Sequence, residues 1–169
     1  MLRKISIQFD DFLSKKCPNL TSRRYEIFTK NPENFSFAGF YRSKYMVNGK
    51  ETYLGVTQFE STAARKAFPC LDEPEKKAKF NVKLGRPKDM MARSNMPSVK
   101  VTEVSEDLVM EEFDTSVIMS TYLVVFLVAP DFEGTSITKP NELNYTILHQ
   151  VGKSEEAMLA ADVGPKICE

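Results

Sequence analysis

The chain has 169 residues, 42% hydrophobic and 27% charged, the composition of one ordinary soluble globular domain. Its 23 basic and 23 acidic residues cancel to a formal net charge of zero, so it lacks the basic excess that a nucleic-acid binder shows. The three cysteines, Cys17, Cys70 and Cys168, lie far apart with no CxxC pair. They read as reduced, buried thiols, with a single disulfide in a secreted protein as the alternative.

In chain order, the start "MLRKISIQFDDFL" is too charged and too short in its apolar run for a signal peptide. Residues 5–9, "ISIQF", alternate like a half-buried strand. Residues 14–36 are polar and irregular and read as a long loop or insertion. Two β-prone runs, 37–47 and 51–60, flank Asn48-Gly49 and predict a hairpin. Extended segments are expected at 78–84, 90–95, 99–104, 109–114 and 119–128, with "SEDL" (105–108) as a turn. The apolar stretch 117–129 falls short of the roughly 18–20 residues that cross a bilayer, and its Val, Ile, Tyr and Phe favour a buried strand or a pair of short strands. The periodicity near two makes the body mainly β. The tail 153–167 predicts a short helix, with Ser154 as cap and acids in the first turn.

Self-contained catalytic chemistry is missing. His149 is the only histidine, whereas a catalytic zinc normally takes three protein ligands. His149 therefore reads as a surface or loop residue, and no metal ligands are assigned. GxSxG, P-loop and GxGxxG motifs are absent. Cys70 and His149 formally offer a nucleophile pair, but Cys70 sits in an apolar context between Pro69 and Leu71. No catalytic residue is assigned.

The densest stretch, "VTQFESTAARKAFPCLDEP" (56–74), resembles the signature TQFEPTDARRAFPCWDEP of the N-terminal domain of zinc metalloaminopeptidases with a gluzincin catalytic domain. "GFYRSKY" (39–45), "KAKFNVKL" (77–84), "RPKDMMARSNMP" (86–97) and "MSTYLVVFLV" (119–128) agree with that family in order. The pattern is most similar to its puromycin-sensitive, cytosolic branch. "VGKSEEAMLAADVGPKI" (151–167) more loosely resembles the helix that opens the catalytic domain. Ser61, Ala63 and Leu71 stand where the family has Pro, Asp and Trp. The resemblance implies an antiparallel β-sandwich, saddle-like domain at 1–150 and the beginning of a catalytic domain at 151–169. The family's GAMEN and HExxH motifs do not occur here, so this chain alone is expected to be inactive. No cofactor is expected in it, zinc belonging to the complete enzyme.

On an extended strand, side chains at i and i+2 share one face. Gln58 and Glu60 should therefore point together while Phe59 points back to the core. The residues alone read first as a solvated strand end. The resemblance implies instead that Gln58 and Glu60 bind substrate, anchoring a peptide N-terminus, for which a carboxylate beside an amide oxygen is a suitable receptor. The implied partners are that peptide N-terminus and the missing catalytic domain of the same polypeptide, with no nucleic acid and no membrane segment in this chain. The alternative is a truncated, non-catalytic homologue acting as a peptide-binding or dimerisation module. The implied location is cytoplasmic. Sequons at Asn19, Asn34 and Asn144 keep open a membrane-anchored or secreted ectoenzyme.

Overall fold

The computed structural model describes residues 4–10, 23–27, 38–47, 49–130, 132–138 and 144–167. It divides into two compact units, Met1–Pro130 and Asp131–Glu169.

The first unit is built from two antiparallel sheets. One runs β2 (Arg23–Ile27), β1 (Lys4–Asp10), β5 (Lys77–Pro87), β8 (Leu108–Phe113), β7 (Ser98–Glu103), with the short β9 (Met119–Ser120) also paired to β5. The other runs β3 (Gly39–Val47), β4 (Lys50–Gln58), β10 (Leu127–Pro130), β6 (Met90–Arg93). The period-two pattern explains the core. Phe80, Val82 and Leu84 alternate along β5, and Val109 and Phe113 face inward from β8. All of these but Val109 join Ala92 of β6, Val128 of β10 and the aromatic group Phe59, Phe68 and Phe126 in one buried cluster. This is the mainly β, antiparallel architecture that the sequence implied. Glu111 of β8 also lies on this inward side, with a side chain only 6% exposed, and Arg86 Nε meets it at 2.6 Å. Arg86 Nη1 further donates to the Met90 carbonyl at 2.6 Å, so the buried pair is neutralised and hydrogen-bonded.

The hairpin at Asn48-Gly49 forms with Val47 opposite Lys50. Gly49 supplies the positive φ of 76° that such a tight connection asks for. "SEDL" is a turn: the Val104 and Ser105 N–H groups both donate to the Leu108 carbonyl.

Three expectations need correction. First, β2 lies inside the stretch read as loop; the rest of 14–36 is outside the described residues. Its sequence, Arg-Arg-Tyr-Glu-Ile, alternates only at Tyr25 and Ile27, too short a pattern to announce a strand, and backbone pairing with β1 holds it. Second, 119–128 is not continuously extended; of the two readings of this stretch, the pair of short strands holds. β9 pairs with β5, Thr121–Leu123 forms a 3-10 turn, and β10 pairs with β4 and β6. The segment changes sheets, and the turn is where it crosses. The buried hydroxyls of Ser120 and Thr121 hold it by donating to the Pro74 and Leu71 carbonyls. Third, residues 131–150 carried no strand in the reading, yet β11 (Phe132–Thr138) and β12 (Asn144–Gln150) form a hairpin in the second unit.

In that second unit α1 (Ser154–Ile167) packs on β12 and β11. Ser154 is the first helical residue rather than the cap, and Ala157 N–H bonds the Lys153 carbonyl. The buried stripe is Ala157, Ala161 and Pro165, spaced by four; Leu159, Val163 and Ile167 are exposed. Small side chains on the packed face let the helix approach the hairpin closely. Pro165 falls in the last turn, where it removes the bond to the Ala161 carbonyl, but only two helical residues follow it.

Gly39 starts β3 at φ 94° opposite Gln58. A Cβ there would stand 3.2 Å from Lys66 Cβ, whereas one on Gly49 would meet nothing within 4 Å. Both substitutions to Ala force a non-glycine residue into a disfavoured conformation, a cost of about 1–3 kcal/mol. Only Gly39→Ala also pushes on the turn that follows β4. In urea unfolding, Gly39→Ala is expected to lose more stability than Gly49→Ala, and equal losses would show that the close approach to Lys66 is immaterial.

Candidate functional site

The end of β4 and the turn after it are fixed from below by aromatic packing. Phe59 is 2% exposed and Phe126 1%. The Phe59 ring meets Phe68 and Phe126 edge-on, at centroid separations of 5.8 Å in both cases. Phe40 reaches Phe126 at 6.2 Å in the same manner. Edge-to-face contacts of this kind add to the area buried and fix ring orientation. With Phe59 held inward, Gln58 and Glu60 face outward, and both are exposed. Gln58 is the last residue of β4. Glu60 is already in the turn, so the strand's alternation outlasts the strand by two residues.

Behind the pair, the chain folds back on itself. Ala63 N–H donates to the Phe59 carbonyl at 2.8 Å, and a 3-10 turn spans Ala64–Lys66. Asp72, 4% exposed, closes this loop. Its Oδ2 accepts from the Arg65 backbone N–H at 3.0 Å and from Arg65 Nε at 3.2 Å, while Arg65 Nη2 donates to the Asp72 carbonyl at 3.0 Å. Of the two acids that the sequence offered to Arg65, Asp72 makes the pair and Glu73 is exposed. The guanidinium is itself 57% exposed, so the buried carboxylate gains more from hydrogen bonds than from screened charge attraction. Cys70 is half-buried inside this loop. Burial pushes its thiol up to about 12, and the Asp72 carboxylate adds to the rise. Such a thiol is a packing group, not a nucleophile. Lys76, Lys77 and Lys79 are all exposed.

The facing strand brings in residues that the sequence reading missed. β10 sets Leu127 opposite Val56 and Val128 opposite Gly55. Thr57 N–H donates to the Phe126 carbonyl at 3.2 Å, which carries the register one pair further. Phe126 N–H then takes the Thr57 hydroxyl at 3.0 Å in place of its carbonyl, so the strands begin to part here. Side chains go on alternating along 123–126, although the pairing has ended: Glu60 lies in the turn after β4 and Leu123 in the 3-10 turn. Burial follows the same parity: Val124 is 1% exposed, but Leu123 is 47% and Val125 41% exposed. Leu-Val-Val-Phe (123–126) is apolar throughout, so no local signal tells which side chains face out; that depended on non-local pairing.

His149 corrects the surface or loop reading. It is buried in β12, with Nε2 at 2.9 Å from the Thr135 hydroxyl and Nδ1 at 2.9 Å from the Gln150 carbonyl. Both ring nitrogens are thus engaged within its hairpin. Among the described residues, no three His, Cys, Asp or Glu side chains come together in a way that could hold a metal ion.

The Peptidase M1 N-terminal domain matches residues 3–123, a span that takes in β4, the turn after it and the 3-10 turn at 121–123. The chain belongs to this family. It is 40% identical over 155 residues to "Endoplasmic reticulum aminopeptidase 1" of Homo sapiens, covering 90% of this chain and 16% of that protein. It is 43% identical over 135 residues to "Aminopeptidase M1-D" of Oryza sativa subsp. japonica, covering 79% and 15%. With "Aminopeptidase N" of Bos taurus the identity is 42% over 113 residues, covering 65% and 12%. The chain thus spans less than a fifth of the length of these curated relatives. Among the described residues no helix is long and apolar enough to cross a membrane.

The M1 turn yields a direct test. At pH 8 a thiol raised from 9.0 to about 12 is ionised about once in ten thousand. In a Cys17→Ser/Cys168→Ser background, Cys70 is expected to react with a thiol reagent about three orders of magnitude more slowly than in denaturant. Asp72→Ala removes the acceptor that closes the loop, with a loss of about 1.5–3 kcal/mol, and should speed labelling. Rapid labelling of the parent, or no change in the variant, would refute this account of the loop.

Proposed function

We propose that this chain is the substrate N-terminus-anchoring part of a zinc metalloaminopeptidase, an enzyme that removes N-terminal residues from peptides. The observation carrying the reading is the outward pairing of Gln58 and Glu60, held in place by the buried Phe59 between them. A peptide's α-ammonium presents three N–H donors and one positive charge. The Gln58 side-chain oxygen and the Glu60 carboxylate are acceptors, and the carboxylate brings the countercharge. Stripping water from an ammonium without such partners is costly, so the pair selects a free N-terminus over a blocked one.

On this reading the partner of the chain is the catalytic domain of the same polypeptide. That domain would hold the zinc, as the resemblance to the family implies for the complete enzyme. The metal supplies the hydrolytic chemistry, and this chain's contribution is positioning. Residues 1–150 then form the anchoring β domain, and 151–169 lead into the catalytic one. The cytoplasmic location rests on the similarity to the puromycin-sensitive branch. The relatives named for the endoplasmic reticulum support the ectoenzyme alternative instead. Asn144 and Thr146 of its sequon are both exposed, so an enzymatically removable glycan on Asn144 would decide for that alternative.

The test crosses parent and Glu60→Ala forms of the aminopeptidase polypeptide with free-amine and N-acetylated peptides. A charge-assisted hydrogen bond is worth about 1.5–3 kcal/mol, so Glu60→Ala should lower kcat/KM on free-amine peptide by about 10- to 150-fold. Glu60→Gln should fall between, keeping an acceptor without the charge. Acetylated peptide should be a poor substrate for the parent and lose little more in the variant. Equal losses on both peptides would mean that Glu60 does not read the N-terminus.

A further inference from the structure

We infer that Asn95 is a positioning residue for the anchoring pair: its carboxamide stands in for the missing end of β6 and holds residues 123–125 off β4, leaving room for a peptide terminus at Gln58 and Glu60. The inference rests on the anchoring reading and adds to it the device that keeps the site open. β6 ends at Arg93, opposite Leu127, so in the same register Asn95 would lie opposite Val125. The Asn95 side chain takes that place. Its Oδ1 accepts from the Val125 N–H at 2.9 Å, and its Nδ2 donates to the Leu123 carbonyl at 2.8 Å. The neighbouring Ser94 hydroxyl donates to the Val125 carbonyl at 2.9 Å. A carboxamide offers the donor and acceptor of a peptide group, so it holds the segment as a strand would.

On the β4 side the ladder is stopped. Phe126 N–H takes the Thr57 hydroxyl at 3.0 Å, and Val124 N–H turns back to the Thr121 carbonyl at 3.1 Å. The Phe59 carbonyl, which the next rung would use, takes the Ala63 N–H instead. Were the ladder to continue in the register of Leu127 with Val56, Val125 would come opposite Gln58. Directly opposed residues have Cβ atoms about 4.5–5.5 Å apart, so the Val125 side chain would crowd the acceptors. The bonds from Asn95 and Ser94 keep the Val125 peptide groups occupied on the β6 side. Asn95 is itself exposed and lies outside the buried cluster, so its contribution is these bonds and not packing.

The experiment has two arms. In the full 169-residue chain, NMR hydrogen exchange at the Val125 amide should quicken in Asn95→Ala and change little in Asn95→Asp, which keeps the acceptor. In the aminopeptidase polypeptide, Asn95→Ala should lower kcat/KM on free-amine peptide about 10-fold, the scale of one or two neutral hydrogen bonds. Asn95→Asp loses only the donor to Leu123 and should fall between; it also carries the test if Asn95→Ala fails to fold. Repeating Asn95→Ala in a Glu60→Ala background should cost about twofold or less, because a positioning residue acts through the pair it positions. A merely destabilising change would cut both backgrounds alike. Unaltered Val125 exchange, an unaltered kcat/KM, or equal losses in both backgrounds would overturn the role of Asn95 and leave the anchor standing. Equal losses from Glu60→Ala on free-amine and N-acetylated peptides would overturn the anchor, and this inference with it.

Discussion

The burial of Phe59 is the constraint on which the site depends. An aromatic ring locked between Phe68 and Phe126 cannot turn outward without exposing a large apolar area and opening a void. Its two neighbours in sequence are therefore held outward, whatever their own preferences. Polar side chains near a strand end are normally mobile; these are clamped through the residue between them. The backbone hydrogen bond from Ala63 to Phe59 and the Asp72 bonds to Arg65 extend the same fixation through the turn. A receptor of this kind needs little ordering when a ligand arrives, which favours affinity.

Much of this was legible in the chain because it is local. The parity of Gln58, Phe59 and Glu60 follows from strand geometry, and Gly49 between two β-prone runs announces its hairpin. The Arg65 pairing was half-legible: opposite charges seven and eight residues away made an ion pair expected, but only burial distinguishes Asp72 from Glu73. What the sequence withheld depends on long-range pairing. Leu123 and Val125 look like any aliphatic residues in an apolar run until β10 is aligned with β4. The 3-10 turn at 121–123 was hidden for a related reason: Leu-Val-Val-Phe is apolar throughout and suggests extended chain, while the change of sheet is set by hydroxyl bonds to carbonyls some 50 residues away. β11 and β12 were missed because Thr, Ser, Asn and Gln dilute their apolar positions. His149 was misplaced because its burial depends on a cross-strand hydroxyl.

Family membership and geometry carry different parts of the argument. Membership in the M1 N-terminal domain family rests on a match across most of the first unit. It does not by itself assign a role to any side chain. The proposed role rests instead on a physical argument, that two acceptors on one face suit an ammonium irrespective of ancestry.

The Arg86–Glu111 pair carries an evolutionary consequence. Both side chains are largely withdrawn from water, and removing one partner of such a pair strands the other at about 3–5 kcal/mol, whereas exchanging both for apolar residues of similar volume is often neutral. That loss is a large share of a domain's total stability. Each residue is therefore the other's licence to remain, and single-step drift at either position is blocked. The route between the ionic and the apolar form of this core runs through an intermediate that folds poorly. Lineages that carry the pair are expected to keep it or to lose it as a unit, making positions 86 and 111 a co-varying couple in the family's history.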